Sequence, residues 1–276
     1  MLIANSDPNE REGSMFKALT LSSPDDYPLH SLVSKGNAQD VEQYVARLND
    51  RGESILLNAL HQDKDDTGWP IYCALAKTFP PNYKIAIILF EAGTMPHKLS
   101  LGLSLFHYAI RKLNLPLFRL LMFFEPNYKE GLGLDAHAPD CLCTIEQRIE
   151  FWSADYPRNN IKAIIEETAI DAAKAKTLLE EAHNNEQLEN FILAAFKYTE
   201  AADIYSKQSK YEIEHYHGEP AIAEYYQSKA TEFYNKAKAM RQNYVENPLL
   251  LPDSPRVFES GARSQSGQKC VESDLS

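Results

Sequence analysis

The chain of 276 residues lacks a long uninterrupted apolar run and lacks an excess of basic charge. Its apolar stretches, such as Leu115–Phe124, are interrupted by Pro116 and Arg119 and are far shorter than the roughly 20 residues that a membrane-spanning helix needs. Basic side chains number 28 against 39 acidic ones, which gives a net charge of −11. Nucleic-acid-binding surfaces carry a basic excess. We therefore expect a globular protein with no membrane span and no nucleic-acid partner.

The sequence also lacks the order of a secretory signal peptide and has few cysteines. Residues Met1–Arg11 show no basic segment followed by an apolar one, so no export signal of that kind is expected there. The cysteines number four and are irregularly spaced, at Cys73, Cys141, Cys143 and Cys270. Such a set is too small for a disulfide framework in a chain of this length. A reducing compartment is expected, and the cytoplasm of the producing cell is the predicted location.

Motifs of common catalytic and metal sites are missing as well. The sequence contains no Gly-x-x-x-x-Gly-Lys loop, no Gly-x-Ser-x-Gly elbow and no His-Glu-x-x-His pair. A thiolate beside a histidine can act as a nucleophile or bind zinc. One cluster offers these groups and consists of His137, Asp140, Cys141 and Cys143. Its spacing matches no standard ligand pattern, so we predict no catalytic residue, no metal and no cofactor.

A second cluster combines acidic residues with histidines and could bind a metal adventitiously. Its members are Glu212, Glu214, His215, His217 and Glu219. Charged stretches of this kind are more often solvated loops between helices, because ionised side chains are rarely buried. We predict such a loop here.

Glycine and proline almost disappear from the second half of the chain. No glycine lies between Leu134 and His217, and no proline lies between Arg158 and Glu219. Long helices can run through such a region without a break. Apolar residues recur there at helical spacing, which predicts three amphipathic, antiparallel helices. The three stripes are Ile170, Ala173, Thr177 and Leu178; Leu188, Phe191, Ile192, Ala195, Tyr198, Ala202 and Tyr205; and Ile222, Tyr226, Ala230, Phe233, Ala237, Met240 and Tyr244.

The limits of this helical region follow from breakers and composition. The third helix is predicted to begin at Pro220, a first-turn position after the breaker Gly218. From Asn247 onward the chain becomes rich in proline and then in serine, glycine and glutamine, with few apolar residues. Such a composition cannot bury enough apolar surface to fold, so a mostly disordered tail is expected there.

Three stretches of the first half align with one another, which indicates an internal repeat. Each contains a short apolar segment with His or Tyr at an anchor position, followed by a second segment rich in Ile, Val and Leu. The anchors His30, Tyr72 and His107 are separated by 42 and 35 residues, against an ideal of about 33. The second copy therefore carries an insertion, which contains Pro80 and Pro81.

The three stretches resemble the ankyrin repeat, whose pattern is Gly-x-Thr-Pro-Leu-His-x-Ala-Ala-x-x-Gly-His followed by an Ile-Val pair, a Leu-Leu pair and Gly-Ala. The third copy, from Gly102 to Leu121, matches at nearly every anchor. The resemblance implies an all-α fold in which an ankyrin-repeat solenoid of three to four irregular repeats is followed by a C-terminal antiparallel helical bundle. In this family the histidine hydrogen-bonds backbone, so we expect His30 and His107 to be structural.

The expected domain boundaries follow from the repeats and from the changes in composition. They are an N-terminal arm at 1–19, the ankyrin-repeat array at 20–130, a degenerate repeat or connector at 131–169, the helical bundle at 170–246 and the mostly disordered tail at 247–276. The first helix of the second repeat stays open between Gly52–Leu60 and Pro70–Lys77.

The resemblance also implies where a partner binds. Ankyrin arrays commonly hold partners with their finger loops and with two variable positions after the Ala-Ala pair of each inner helix. In this chain those positions are Ser34, Lys35, Ala76, Lys77, Arg111 and Lys112. Four of the six are basic in an otherwise acidic protein, and we refer to Lys35, Lys77, Arg111 and Lys112 as the basic column. A positive surface of this kind predicts an acidic protein or peptide as the partner.

Apolar and aromatic side chains add four further candidates for the partner surface. Trp69 and Leu103 fall near the predicted finger tips and would supply apolar anchors. Tyr225 and Tyr234 fall off the apolar stripe of their helix, and tyrosine is favoured at interfaces because it combines apolar area with a polar tip.

The irregular repeats and the polar C-terminal segment resemble ankyrin effectors that intracellular bacteria such as Legionella deliver into host cells through a type IV secretion system. In that family the translocation signal is C-terminal, short, polar and rich in Glu and Ser, and residues Gly267–Ser276 are of that kind. This resemblance implies a non-enzymatic effector that is secreted into the host cytosol and binds a host protein through the concave face of its ankyrin array.

An alternative function stays open at this point. The protein could be a host-modifying enzyme whose ankyrin part selects the target and whose C-terminal helical region is catalytic. A catalytic site would then have to be built on Cys141 or on the cluster from Glu212 to Glu219.

Overall fold

The chain is all-α over nearly all of its described residues. The computed structural model describes residues 20–21, 28–53, 60–61, 70–72, 74–75, 80–94, 104–126, 145–155, 160–215 and 218–246. Within them the one departure from helix and turn is a pair of parallel two-residue strands, β1 (Thr20–Leu21) and β2 (Leu60–His61). None of the helices in these segments is both long and apolar enough to cross a bilayer. The expected N-terminal arm and C-terminal tail lie outside the described residues.

Short helices occupy the first half of the chain and pack side by side. They are α1 (Pro28–Lys35), α2 (Ala38–Asp50), α3 (Pro70–Tyr72), α4 (Tyr83–Glu91), α5 (Leu105–Arg111), α6 (Leu115–Phe124) and α7 (Ile145–Asp155). Helix α1 contacts α2 and α3, and α4 contacts both α2 and α3, so successive helix pairs stack on one another. The Phe90 and Phe124 rings, with centroids 4.9 Å apart, connect α4 with α6.

Two of these helix pairs share the same tight connection. Between α1 and α2 the chain passes through Gly36, with φ of 76°, and Asn37, whose side chain accepts hydrogen bonds from the first turn of α2. Between α5 and α6 it passes through Leu113, with φ of 52°, and Asn114, whose side chain accepts from Leu117 N–H. A left-handed residue ends one helix and an asparagine cap begins the next.

Hydrogen bonds tie neighbouring helix pairs together at these connections. The Asn82 side chain donates to the carbonyl of Gly36 at 3.3 Å, and the Asn114 side chain donates to the Tyr83 hydroxyl. The Asn82 N–H donates to the Ala74 carbonyl at 2.9 Å, as the Asn114 N–H donates to the Ala109 carbonyl at 2.8 Å. Ala74 is thus placed like Ala109 of α5, and helical residues lie at Pro70–Tyr72, whereas Leu60 is in a strand.

The two repeat histidines are buried, at 7% exposure for His30 and 4% for His107. Ser104 is the N-cap of α5, and its hydroxyl accepts from the His107 N–H and bonds the His107 ring Nδ1 at 2.7 Å. These contacts fix the first turn of α5. The contacts of His107 therefore support a structural role for this residue.

Three long helices form the second half of the described chain, namely α8 (Ile161–Gln187), α9 (Phe191–Glu214) and α10 (Pro220–Glu246). The prediction that the last helix begins at Pro220 is confirmed. Hydrogen bonds join Tyr198 to Glu186 and Gln208 to Asp171, so α8 and α9 run in opposite directions. Hydrogen bonds from Ser209 to the Ala223 carbonyl and from Arg241 to Thr199 show that α9 and α10 are antiparallel as well. The boundary expected between residues 169 and 170 falls inside α8.

The long helices pack directly on the short ones. Helix α8 contacts α6, and α10 contacts α4. At the second contact Lys229 forms an ion pair with Glu91 at 2.8 Å. The Tyr225 ring of α10 also stacks on Phe124 of α6, with centroids 5.7 Å apart. One buried apolar cluster runs from Leu29 in α1 to Met240 in α10. The two halves therefore share a single hydrophobic core.

Leu113 stands in the left-handed position that Gly36 occupies in the first helix pair. We expect Leu113→Gly to raise the free energy of unfolding by about 0.5–1 kcal/mol, because relief of about 1–2 kcal/mol of backbone strain exceeds the entropic cost of about 0.5–1 kcal/mol of a glycine. Urea unfolding followed by circular dichroism measures the change. Lys112→Gly is the matched control, since Lys112 has φ of −89° and its replacement should destabilise. Equal changes in the free energy of unfolding for Leu113→Gly and Lys112→Gly would contradict the backbone strain that we assign to Leu113.

Candidate functional site

Three members of the basic column have described positions, and they lie at the ends of inner helices. Lys35 is the last residue of α1, Arg111 is the last residue of α5, and Lys112 follows it. All three side chains are exposed. Lys35 and Lys112 each precede the left-handed residue of their connection, so they occupy the same position in the two helix pairs. Lys77 lies outside the described residues.

The two predicted apolar anchors, Trp69 and Leu103, also lie outside the described residues. Each directly precedes a described residue that begins or caps a helix. Pro70 begins α3, and Ser104 is the N-cap of α5. Both of these following residues are buried.

Tyr225 and Tyr234 differ in what they contact. Tyr225 is partly buried against α4 and α6, its hydroxyl donates to the Glu91 carboxylate at 2.9 Å, and burial raises its pKa. It therefore stabilises the contact of α10 with the helix pairs of its own chain. Tyr234 is 40% exposed, and its hydroxyl donates to Asp203 on α9. Of the two residues, Tyr234 keeps a surface that a partner can reach.

The charged stretch that contains Glu212 is not the solvated loop that its sequence predicts. Helix α9 continues to Glu214, and the Glu212 side chain is 1% exposed. Its carboxylate forms an ion pair with Arg119, whose side chain is 2% exposed, and accepts the Glu219 N–H at 3.2 Å. The prediction failed because a charged residue within a polar run gives no sign of a buried partner elsewhere. Glu214 and His215 are exposed, and His217 lies outside the described residues.

Arg119 is the centre of a buried polar cluster that joins three helices. Its Nε donates to Thr168 Oγ1 of α8 at 3.2 Å, and its two terminal nitrogens donate to Gln208 and Glu212 of α9. The guanidinium carbon also lies 3.5 Å from the centre of the Tyr211 ring, a cation–π contact. Burial raises the pKa of Glu212, while the nearby guanidinium opposes that rise. The cluster fixes the position of α6 against α8 and α9.

Sequence reasoning missed this cluster, although a local signal existed. Arg119 lies inside the apolar helix α6, where the residues on both sides, Phe118 and Leu120, are fully buried. A cation so placed must have buried acceptors. The signal indicates that a partner is required without indicating which acidic residue supplies it.

A cleft of about 250 Å³ opens beside Tyr211 between α8 and α9. Its charged groups are largely matched within the chain, because Lys207 pairs with Glu167 at 2.7 Å and Lys210 lies 3.6 Å from Glu214. Over the described segments no group of three or more His, Cys, Asp or Glu side chains is arranged to hold a metal ion. The cluster of His137, Asp140, Cys141 and Cys143 lies outside those segments.

Comparison with known proteins gives no relative for this chain: no family model matches it, and no curated protein or solved structure is significantly similar to it.

Proposed function

We propose that this protein is a non-enzymatic protein-binding module in which an ankyrin-type repeat array is packed on an antiparallel helical bundle. The observation that carries the proposal is the repeated connection between helices. Gly36 with Asn37 and Leu113 with Asn114 form the same turn. The side chains of Asn82 and Asn114 bond the neighbouring helix pairs, and such bonds between adjacent units support a stacked solenoid.

The helix start at Ser104 supports the ankyrin-type assignment further. Ser104 and His107 stand where the ankyrin pattern has Thr and His, and they are hydrogen-bonded to each other and buried. Ala109, whose carbonyl accepts from Asn114 N–H, stands at the first alanine of the pattern's Ala-Ala pair. The Tyr108 hydroxyl of this helix donates to the Leu75 carbonyl of the preceding unit at 2.8 Å, and contacts between adjacent units are typical of an array of repeats.

The proposed partner surface is the basic column, with Tyr234 as a separate aromatic contact. Lys35, Arg111 and Lys112 are exposed at corresponding helix ends, and the chain as a whole has a net charge of −11. A local positive surface on an acidic protein attracts acidic segments selectively. The proposed partner is therefore a protein that presents an acidic helix or peptide.

Charge reversal tests this surface. Changing Lys77, Arg111 and Lys112 to Glu should reduce capture of acidic partner proteins from host-cell cytosol about tenfold or more, because like charges would face each other. Folding should be preserved at Arg111 and Lys112, which are exposed, since exposed substitutions usually change stability by at most about 0.5 kcal/mol each. Added salt should also weaken capture by the unaltered chain, since the screening length falls from about 10 Å at 0.1 M to about 3 Å at 1 M.

The matched control reverses three exposed lysines of the long helices, Lys174, Lys176 and Lys238, and so makes the same change in net charge. Capture should be retained in this variant. Capture that survives both the reversal of the basic column and 1 M salt would show that the column is ordinary solvated surface.

Delivery into a host cell is the second part of the proposal and rests on the resemblance to type IV-secreted effectors. Deleting Ser260–Ser276 should abolish translocation of a reporter fusion while leaving the helical circular dichroism and the melting midpoint intact. Undiminished translocation of the truncated chain would remove the C-terminal signal from the proposal.

A further inference from the structure

Five large apolar side chains are exposed at one end of the three long helices. They are Leu188, Ile192, Leu193, Phe196 and Val245, with exposures from 40% to 78%. We refer to these five residues as the apolar end patch. Single exposed apolar residues are ordinary, but a contiguous group of them marks a surface that contacts something else.

The helix geometry brings the five side chains together. Ile192, Leu193 and Phe196 lie on one face of α9, since residues three and four apart are neighbours on a helix, and Leu188 lies in the α8–α9 connection just before α9 begins. The Ser209 hydroxyl donates to the Ala223 carbonyl at 2.9 Å, and the Tyr198 and Phe233 rings stack with centroids 6.3 Å apart, which gives the register of the antiparallel helices α9 and α10. Val245 lies about three turns beyond Phe233, and Leu188 precedes Tyr198 by nearly the same number of residues. Val245 therefore lies level with the α8–α9 connection that contains Leu188, at the end of α10.

We propose that the apolar end patch is the docking surface for Leu249–Leu251 of the same chain. Helix α10 ends at Glu246, and Pro248 cannot continue it. The three consecutive leucines follow at once and are the most apolar run after residue 246. Five extended residues span about 16 Å, whereas the turn from Ile192 to Phe196 rises about 6 Å. The leucines can thus reach the whole patch. This inference does not depend on the proposed partner binding.

A segment of the same chain fits the patch better than a second copy does. Stable interfaces between separate proteins use about 20–30 residues on each side. The patch offers five. A short tether, in contrast, supplies an effective concentration in the millimolar range, so a small apolar contact is sufficient within one chain. The small size of the patch and its position next to the chain's own leucines favour the intramolecular contact.

Accessibility of an introduced thiol tests the proposal in the full chain. Ile192→Cys places a thiol within the patch, and Ile213→Cys places a control thiol on the same helix at a residue that is 73% exposed. Maleimide labelling is followed by peptide mass spectrometry, which separates each introduced thiol from the four native cysteines. We expect Ile192→Cys to label about tenfold more slowly than Ile213→Cys, since burial of one leucine is sufficient for such a shift.

Changing Leu249, Leu250 and Leu251 to Ser should raise labelling at Ile192→Cys about tenfold and leave Ile213→Cys unchanged. Changing Val257 and Phe258 to Ser removes two apolar residues farther along the same segment and should change neither rate. The proposal would be overturned if Ile192→Cys and Ile213→Cys were labelled at equal rates both with the native leucines and with the three serines. Protection that persists without the leucines and increases with protein concentration, together with a doubled mass in light scattering, would assign the patch to a second copy instead.

Discussion

Replacing Arg119 with methionine is expected to lower the free energy of unfolding by about 3–5 kcal/mol, the usual cost of leaving one charge of a buried ion pair without its partner. Methionine fills much of the volume of the arginine stem, so the loss is mainly electrostatic. Glu212 would stay in a site where its side chain is 1% exposed, and Thr168 and Gln208 would lose their shared donor. Unfolding by urea at pH 7, followed by helical circular dichroism, measures the loss.

The same substitution should make stability depend on pH in a defined direction. Burial already raises the pKa of Glu212 above its ordinary value of 4.5, and removal of the guanidinium that opposes this effect raises the pKa further. A carboxyl group with a higher pKa in the folded state binds protons on folding, so its stabilising contribution is present at acidic pH and is lost as the pH rises. The difference in free energy of unfolding between the unaltered chain and Arg119→Met should therefore be smaller at pH 5 than at pH 7.

Two further variants separate charge from packing. Arg241→Met removes an exposed arginine and should change the free energy of unfolding by at most about 0.5 kcal/mol. Adding Glu212→Gln to Arg119→Met removes the stranded charge while keeping an acceptor for the Glu219 N–H, so a substantial part of the lost stability should return. If Arg119→Met were as mild as Arg241→Met and showed no dependence on pH, the buried ion pair would not stabilise this fold.

The third of the long helices was predictable because its local signals agree. Gly218 and Pro220 mark its start, and every apolar residue of its predicted stripe from Ile222 to Met240 is buried. A built Cβ on Gly218 would lie 1.6 Å from the Glu212 carbonyl oxygen, so the breaker is also required by close packing. Breaker, proline and periodicity thus indicate one boundary and one buried face.

The stripes of the other two long helices were partly wrong. Ile170, which the first stripe placed inside, is 68% exposed, and α8 buries a different face that begins at Ile161 and Ile165. The expected domain boundary at residue 170 assigned Ile161 and Ile165 to another domain. The apolar stripe predicted for α8 therefore began at the wrong residue and lay on the wrong face. Leu188, in the α8–α9 connection, and Ile192 of the second stripe are exposed because no helix within the described residues covers that side of the start of α9. Periodicity identifies an apolar face without showing that a neighbour covers it.

The buried polar cluster could not be assembled from local patterns at all. Arg119 and Glu212 are 93 residues apart, and each lies in a run that has a simpler interpretation. Arg119 interrupts an apolar stretch, and Glu212 belongs to a charged one. Their pairing depends on α6 packing against α8 and reaching α9 through the Arg119 side chain, which is a property of the tertiary arrangement. Such pairs become visible when the helices are placed in space.

Leu120→Ala is the second substitution for which we expect a large effect. Leu120 is fully buried in α6, the helix that packs on α5 within its pair and on α8 beyond it. Truncating a leucine in such a position removes transfer free energy and leaves a cavity, which together cost about 2–5 kcal/mol. Because the helix pairs and the long helices share one core, the loss should lower the melting midpoint of the whole chain rather than loosen one helix.

Ile170→Ala is the matched control for this experiment, since it also truncates a large aliphatic side chain on a helix but at a position that is 68% exposed. Its effect should stay within about 0.5 kcal/mol. The two variants are compared by thermal and urea unfolding of the full chain, with helical circular dichroism as the signal. A change for Leu120→Ala no larger than that for Ile170→Ala would mean that α6 does not pack against its neighbours as described. The assignment of α5 and α6 to a stacked repeat would then fail with it.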